Sequence, residues 1–255
     1  MRILLLNPNI SIAMTDRMLA AGEAAKSPGT TLVPLTAPRG VPFIASRAEA
    51  QIGGAVAIEM LAEHHRDVDA AIIAAFGDPG LLGARELFDI PVVGLAEAAM
   101  LTACMLGRRF GIVSFARSLG PWFEECVAAH GLSGRCAGIR LLDSPIQQVT
   151  EVQDEKEDLL VELALACARD DGADVVILAG APLSGLAAKV AHRIPVPVVD
   201  QVSAAVRQAE TLVSLAPRKA TLGTFRRPPA KIATGLPGPL ADRIGHLDEG
   251  RGAFS

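Results

Sequence analysis

Few side chains in this 255-residue chain have both the type and the placing to act on a small molecule. Asn7 and Asn9 are its only asparagines and flank Pro8. A carboxamide can donate to a carbonyl and accept from an N–H at once. The pair therefore fits ligand recognition, and Asn9 or Ser11 fits a helix cap equally well. Arg47 and Glu49 follow the segment Val41-Pro-Phe-Ile44. Arg47 could anchor a carboxylate and Glu49 could act as a base, although Glu49 also stands three residues after Ser46, in capping-box register. Asp78 lies in the turn Phe76-Gly77-Asp78-Pro79-Gly80, where it is either a base or an Asp-Pro turn former. Ser114, beside Phe115, offers a hydroxyl to a carbonyl or carboxylate, or is a plain loop serine. The turns Gly77–Gly80 and Ala181–Gly185, the latter with Pro182 and Ser184, open helices. Free N–H groups there would suit an oxyanion, and simple turn formation explains the same residues. Ser184 could replace an acid–base group or cap a helix.

Other chemistries find no support in the spacing. No Ser-His-Asp arrangement can be read from the chain. Cys104, Cys126, Cys136 and Cys167 form no CxxC pair, and Cys104, Cys126 and Cys167 fall in helical stretches as buried free thiols. His64, His65, His130, His192 and His246 show no ligand spacing, so no metal and no other cofactor is expected.

The elements that carry these residues are written twice. Asp69-Ala-Ala-Ile-Ile-Ala-Ala75 is echoed by Asp174-Val-Val-Ile-Leu-Ala-Gly180, 105 residues later. Gly80-Leu81 matches Gly185-Leu186, and Pro91-Val-Val matches Pro197-Val-Val. Each copy reads as buried strand, small-residue turn, helix, short strand, helix. Strands are expected at 2–6, 30–35, 69–75 and 90–94, then at 109–114, 138–142, 174–180 and 196–199. Helices are expected at 11–26, 46–65, 81–88 and 96–106, then at 119–130, 151–171, after 185 and from 202. A short helix near 239–244 lies in an irregular Pro-, Gly- and Lys/Arg-rich tail, with a loose extreme C-terminus.

This alternation predicts an α/β fold of two pseudo-symmetric lobes, each a parallel sheet flanked by helices, with the active site in the cleft between them. Residues 1–99 with 207–255 form the first lobe and its tail; residues 100–206 form the second. Sites in such sheets lie beyond the carboxyl ends of the strands. That rule selects Asn7–Asn9, Ala75–Gly80, Ser114–Phe115 and Gly180–Ser184.

Half of the residues are hydrophobic, aromatics make up 4% and Tyr is absent, so the core must be aliphatic. The net charge is −4 and no long basic run occurs, which argues against nucleic acid as a partner. Ile3-Leu-Leu-Leu6 is too short for a signal-peptide core, and no apolar run reaches the roughly 18 residues that span a bilayer. The expectation is a cytoplasmic protein with a small-molecule substrate and no membrane partner.

Asn7-Pro8-Asn9, the turn Phe76-Gly77-Asp78-Pro79-Gly80-Leu81, and Pro91-Val-Val-Gly94 followed by Glu97-Ala-Ala resemble the aspartate/glutamate/hydantoin racemase superfamily, and most of all its hydantoin and allantoin racemase branch. The likeness covers about residues 1–210. It implies two α/β lobes around one site, a homo-oligomer, and chemistry without a cofactor. Family racemases use two cysteines, one per lobe, to remove and return a proton on opposite faces. The resemblance puts those positions on Ala75 and Gly180, neither of which has a reactive side chain.

Asn7, Asn9, Arg47, Phe76, Gly77, Ser114, Phe115, Ala181, Pro182 and Ser184 are then the expected binding residues, with Glu49 and Asp78 as the expected catalytic ones. The first expectation is hydrolytic ring opening of a hydantoin-like or cyclic ureide substrate, with Glu49 or Asp78 directing water. The alternatives are a racemase or isomerase with non-cysteine bases, and a binding homologue without catalysis.

Overall fold

The computed structural model describes residues 1–143 and 148–248. The first half runs β1 (Arg2–Asn7), α1 (Ile12–Ala25), β2 (Thr31–Thr36), α2 (Arg47–His64), β3 (Ala70–Ile73), α3 (Leu81–Leu87), β4 (Val92–Gly94) and α4 (Leu95–Leu106). The second runs β5 (Phe110–Ser114), α5 (Gly120–Ala129), β6 (Cys136–Leu141), α6 (Val152–Arg169), β7 (Val175–Leu178), α7 (Leu186–Val190), β8 (Val198–Asp200) and α8 (Gln201–Leu215). A last helix, α9 (Gly238–Ile244), stands in the tail.

The strands form two four-stranded sheets with matching order, β2-β1-β3-β4 and β6-β5-β7-β8, and every pairing is parallel. β1, β3, β5 and β7 are central, and beyond Arg2 they are buried along their length. Such strands need apolar residues on both faces, which explains why the core is Ala, Val, Ile and Leu rather than alternating. β3 and β7 end at Ile73 and Leu178, two residues earlier than the sequence suggests. The chain beyond them is already turning, although Ala74 N–H still bonds to Leu6 O and Ala179 N–H to Val113 O.

α4 and α8 pack on each other between the sheets; α4 also touches β7 and β8, and α8 touches β3 and β4. The expected boundaries at 99/100 and 206/207 therefore fall inside these two helices. In the tail, Arg243 of α9 is buried, donates to Leu87 O, Asp89 and Asp248, and lies 5.6 Å from the Phe88 ring centre. Lys219 donates to the carbonyls of Arg85, Glu86 and Phe88, at the C-terminal end of α3. The extreme C-terminus, expected to be loose, lies outside the described residues from 249 on. Among the described residues no helix is long and apolar enough to cross a membrane.

Candidate active site between the sheets

The carboxyl ends of the two sheets face each other across a cavity of about 40 Å³. Asn9, Met14, Phe43, Ile44, Ala75, Phe76, Phe115, Leu119, Trp122, Phe123, Gly180, Ala181 and Pro182 line it. None of these side chains is ionisable. A water occupies about 10–15 Å³ on this measure, so the cavity holds a few waters and must widen to admit a ring. Aromatics line it from both sides, with Phe76 and Phe123 tilted against each other at 4.8 Å between ring centres.

Of the residues expected from the sequence, Asn9, Ala75, Phe76, Phe115, Gly180, Ala181 and Pro182 reach the wall. Asn9 Oδ1 accepts from Asn7 Nδ2 and from Ser11 N–H, while its own Nδ2 donates to no described group. Phe76 N–H and Ala181 N–H, at matching places in the two halves, likewise have no acceptor among the described residues. No side chain of the wall is an acid or a base.

Gly180 has φ +105° and ψ 141°, a conformation open almost only to glycine. A Cβ there would lie 2.6 Å from the Phe115 ring, so Phe115 fills the space a side chain at 180 would need. Gln201 fixes this peptide from behind, accepting from Gly180 N–H at 3.0 Å and donating to Gly180 O.

The other expected residues serve the frame. Asn7 is fully buried, and its Nδ2 donates to Asn9 Oδ1, Ser11 O and Thr15 Oγ1. Ser114 Oγ donates to Ala179 O at 2.7 Å, tying β5 to the end of β7. Ser184 is buried, accepts a long bond from Gln201, and has its carbonyl bonded by Gln153. Gly185, not Ser184, is the N-terminal cap of α7. Gly77 lies against Trp122, where no Cβ would fit.

The three charged candidates are placed elsewhere. Arg47 is exposed and makes a bidentate pair with Glu125 across the mouth of the cleft, with no cavity contact. Glu49 Oε2 accepts from Ala45 N–H at 2.7 Å and its own N–H bonds to Ser46 Oγ, a helix-start network. Asp78, at φ +50°, accepts from Ala96 N–H and Glu97 N–H at 2.8 Å each and so caps α4. A Cβ on Gly94 would fall inside its carboxylate, so the capping depends on that glycine. Neither Glu49 nor Asp78, expected to direct a water, is among the residues that line the cavity.

Asp78 also opens a cluster that spacing did not reveal. His130 Nε2 lies 3.2 Å from Asp78 Oδ2, and His130 Nδ1 lies 3.5 Å from Glu97 Oε1, itself paired with Arg85. Cys126, one turn before His130, completes the group. Hydrogen bonds to Asp78, then Cys126 and Glu97, outweigh burial and push the His130 pKa up to about 11. Burial would raise Glu97, but bonds from His130 and Arg85 hold it down to about 2. Burial pushes the Cys126 thiol up, and Cys167 up to about 12, so these thiols rest protonated. Cys126 and His130 stand four residues apart, but Asp78, the third member, is remote in sequence, so local spacing leaves the cluster hidden.

Trp122, Phe123, Leu119, Met14, Phe43 and Ile44 line the cavity without having been selected from the sequence as site residues. Helical period marks Leu119, Phe123 and Cys126 as one face of α5, a pattern that reads as ordinary core.

The Asp/Glu/hydantoin racemase profile matches residues 3–209. The chain belongs to this family. It is 33% identical to a hydantoin racemase of Paenarthrobacter aurescens over 91% of this chain and 99% of that one. It is 32% identical to the hydantoin racemase of Rhizobium meliloti, over 92% and 98%. Among solved structures, allantoin racemase from Klebsiella pneumoniae superimposes with a TM-score of 0.86 at 33% identity, covering 92% of this chain and 96% of that one. Arylmalonate decarboxylase, at 16% identity and a TM-score of 0.59, shares the fold. The relatives at 32–33% identity are racemases, and ring hydrolysis has no support among them.

Proposed function

We propose that this family member binds a hydantoin-like or cyclic ureide ring between the sheets and acts as an isomerase at the ring carbon beside a carbonyl. The observation that carries the reading is that Phe76 and Ala181, one from each half, line one cavity and have N–H groups with no acceptor among the described residues. Removing a proton beside a carbonyl puts negative charge on the oxygen. Fixed amide donors stabilise that enolate, each typically worth about two to three orders of magnitude in rate. Asn9 Nδ2 adds a third donor for a ring carbonyl. With no ionisable side chain on the wall, the proton is exchanged with water held in the cavity, and the rate gain is the electrostatic part alone.

One observation favours a second reading, binding without turnover: neither Ala75 nor Gly180 can carry a proton. Proton NMR in D2O separates the two. Enantiopure 5-substituted hydantoins and allantoin are incubated with the full chain. Enzyme-dependent loss of the ring-carbon proton with the ring intact supports isomerisation. Retention of that signal, with line broadening of the bound ring, supports binding alone. Appearance of the N-carbamoyl product would revive ring opening and sink both.

A further inference from the structure

Asp78, Cys126 and His130 place one carboxylate oxygen, one sulfur and one imidazole nitrogen within 4.8 Å of one another. We propose that this trio is a binding site for a zinc-type transition-metal ion, a site separate from the cavity and fastening the two sheets' layers together.

The donor set is the first reason. Thiolate, imidazole and carboxylate together suit zinc or cobalt and do not suit magnesium or calcium. Geometry is the second. Nitrogen and oxygen ligands about 2.0–2.1 Å from a tetrahedral ion lie about 3.3 Å apart. His130 Nε2 and Asp78 Oδ2 lie 3.2 Å apart. The outer layer is the third. Asp78 is aimed by Ala96 N–H and Glu97 N–H, and Glu97, clamped by Arg85, faces His130 Nδ1. A carboxylate on the far nitrogen of a ligating imidazole is the usual support of such a ligand. Burial is the fourth, since Asp78 is 7% and Cys126 6% exposed.

An entering ion displaces the thiol proton of Cys126 and the proton between His130 and Asp78; water completes a fourth position. Asp78 belongs to the turn between β3 and α3, whereas Cys126 and His130 stand on and just after α5, the helix that carries Trp122 and Phe123. An ion would therefore fix α5, and with it one wall of the cavity, against the first sheet's turn.

The test uses the full chain, stripped with a chelator, kept reduced and titrated with Co2+. A thiolate-to-cobalt charge-transfer band should saturate at one equivalent and be displaced by Zn2+. Cys126→Ser should abolish the band and Cys104→Ser should leave it. Glu97→Gln should weaken Co2+ binding about 10–100-fold, as loss of an outer partner does. Absence of a stoichiometric band, or a band that survives Cys126→Ser, would overturn the proposal. If Cys126→Ser does not fold, His130→Gln decides: unchanged cobalt affinity overturns the proposal and loss of binding upholds it. No readout depends on turnover, so the proposal stands or falls independently of the isomerase reading.

Discussion

At the scale of single residues, the site is defined by what positions 75 and 180 can tolerate. Ala75 already has a Cβ and borders the cavity, so a sulfur there enters vacant space. Gly180 combines a positive φ with a Phe115 ring where its Cβ would go. Ala75→Cys should thus cost less than about 1.5 kcal/mol, as small volume changes do. Gly180→Cys should cost more than about 1 kcal/mol for its backbone alone, with the clash added. Urea denaturation of both variants checks the contrast, and adding Phe115→Ala to Gly180→Cys should relieve the clash but not the backbone cost. Equal destabilisation by the two cysteines would contradict this. These residues also show how far the sequence could be read. The strand-end rule brought Asn9, Ala75, Phe76, Phe115, Gly180, Ala181 and Pro182 to the cavity because backbone topology alone places them. Arg47 and Glu49 come from a different signal, a helix start, and they and Asp78 lie off the cavity wall; a carboxylate at a helix start looks the same in sequence whether it faces a ligand or an N–H.

At the scale of elements, the contact of greatest consequence joins the N-terminus of α4 to the end of α5 through Asp78, His130 and Glu97. The period of the apolar residues gave both helices, but their meeting is a long-range event with no local trace. Its pH dependence follows from the two shifts. His130 is raised from its ordinary value of 6.5 to about 11, so its stabilisation is complete below pH 6.5 and is lost as pH rises towards 11. Glu97 is lowered from 4.5 to about 2, so its stabilisation is complete above pH 4.5 and fades as pH falls towards 2. The chelator-treated protein should be most stable between these limits, and His130→Gln should flatten the alkaline limb. Thermal melts from about pH 3 to 10 measure this, and an alkaline limb unchanged in the variant would exclude the cluster as its source. The tail makes a second test. Arg243 is buried and pairs with buried Asp248 as well as with exposed Asp89, and removing one side of a buried pair costs about 3–5 kcal/mol. Arg243→Ala should lower the denaturation midpoint accordingly, whereas a change under about 1 kcal/mol would mean that α9 is merely appended.

At the scale of the whole molecule, the cavity is narrow. Three contacts join the first half to α5 and its end: the Phe76–Phe123 ring pair, the Arg47–Glu125 ion pair and the Asp78–His130 contact. A volume of about 40 Å³ is small for a ring, and the expectation is that α5 and the facing loops part as a ligand enters. If opening precedes binding, the rate of association should level off with ligand concentration at the opening rate. Trp122 is the chain's only tryptophan and forms part of the wall, so its fluorescence reports the event without a label. Stopped-flow mixing with a hydantoin should give a rate that reaches a plateau. Arg47→Ala should raise the plateau by loosening the mouth while leaving the fluorescence endpoint unchanged. A rate that rises linearly without limit would mean the cleft stands open in solution. In that case the closed arrangement of Phe76, Trp122 and Phe123 would be a minor state rather than the resting one.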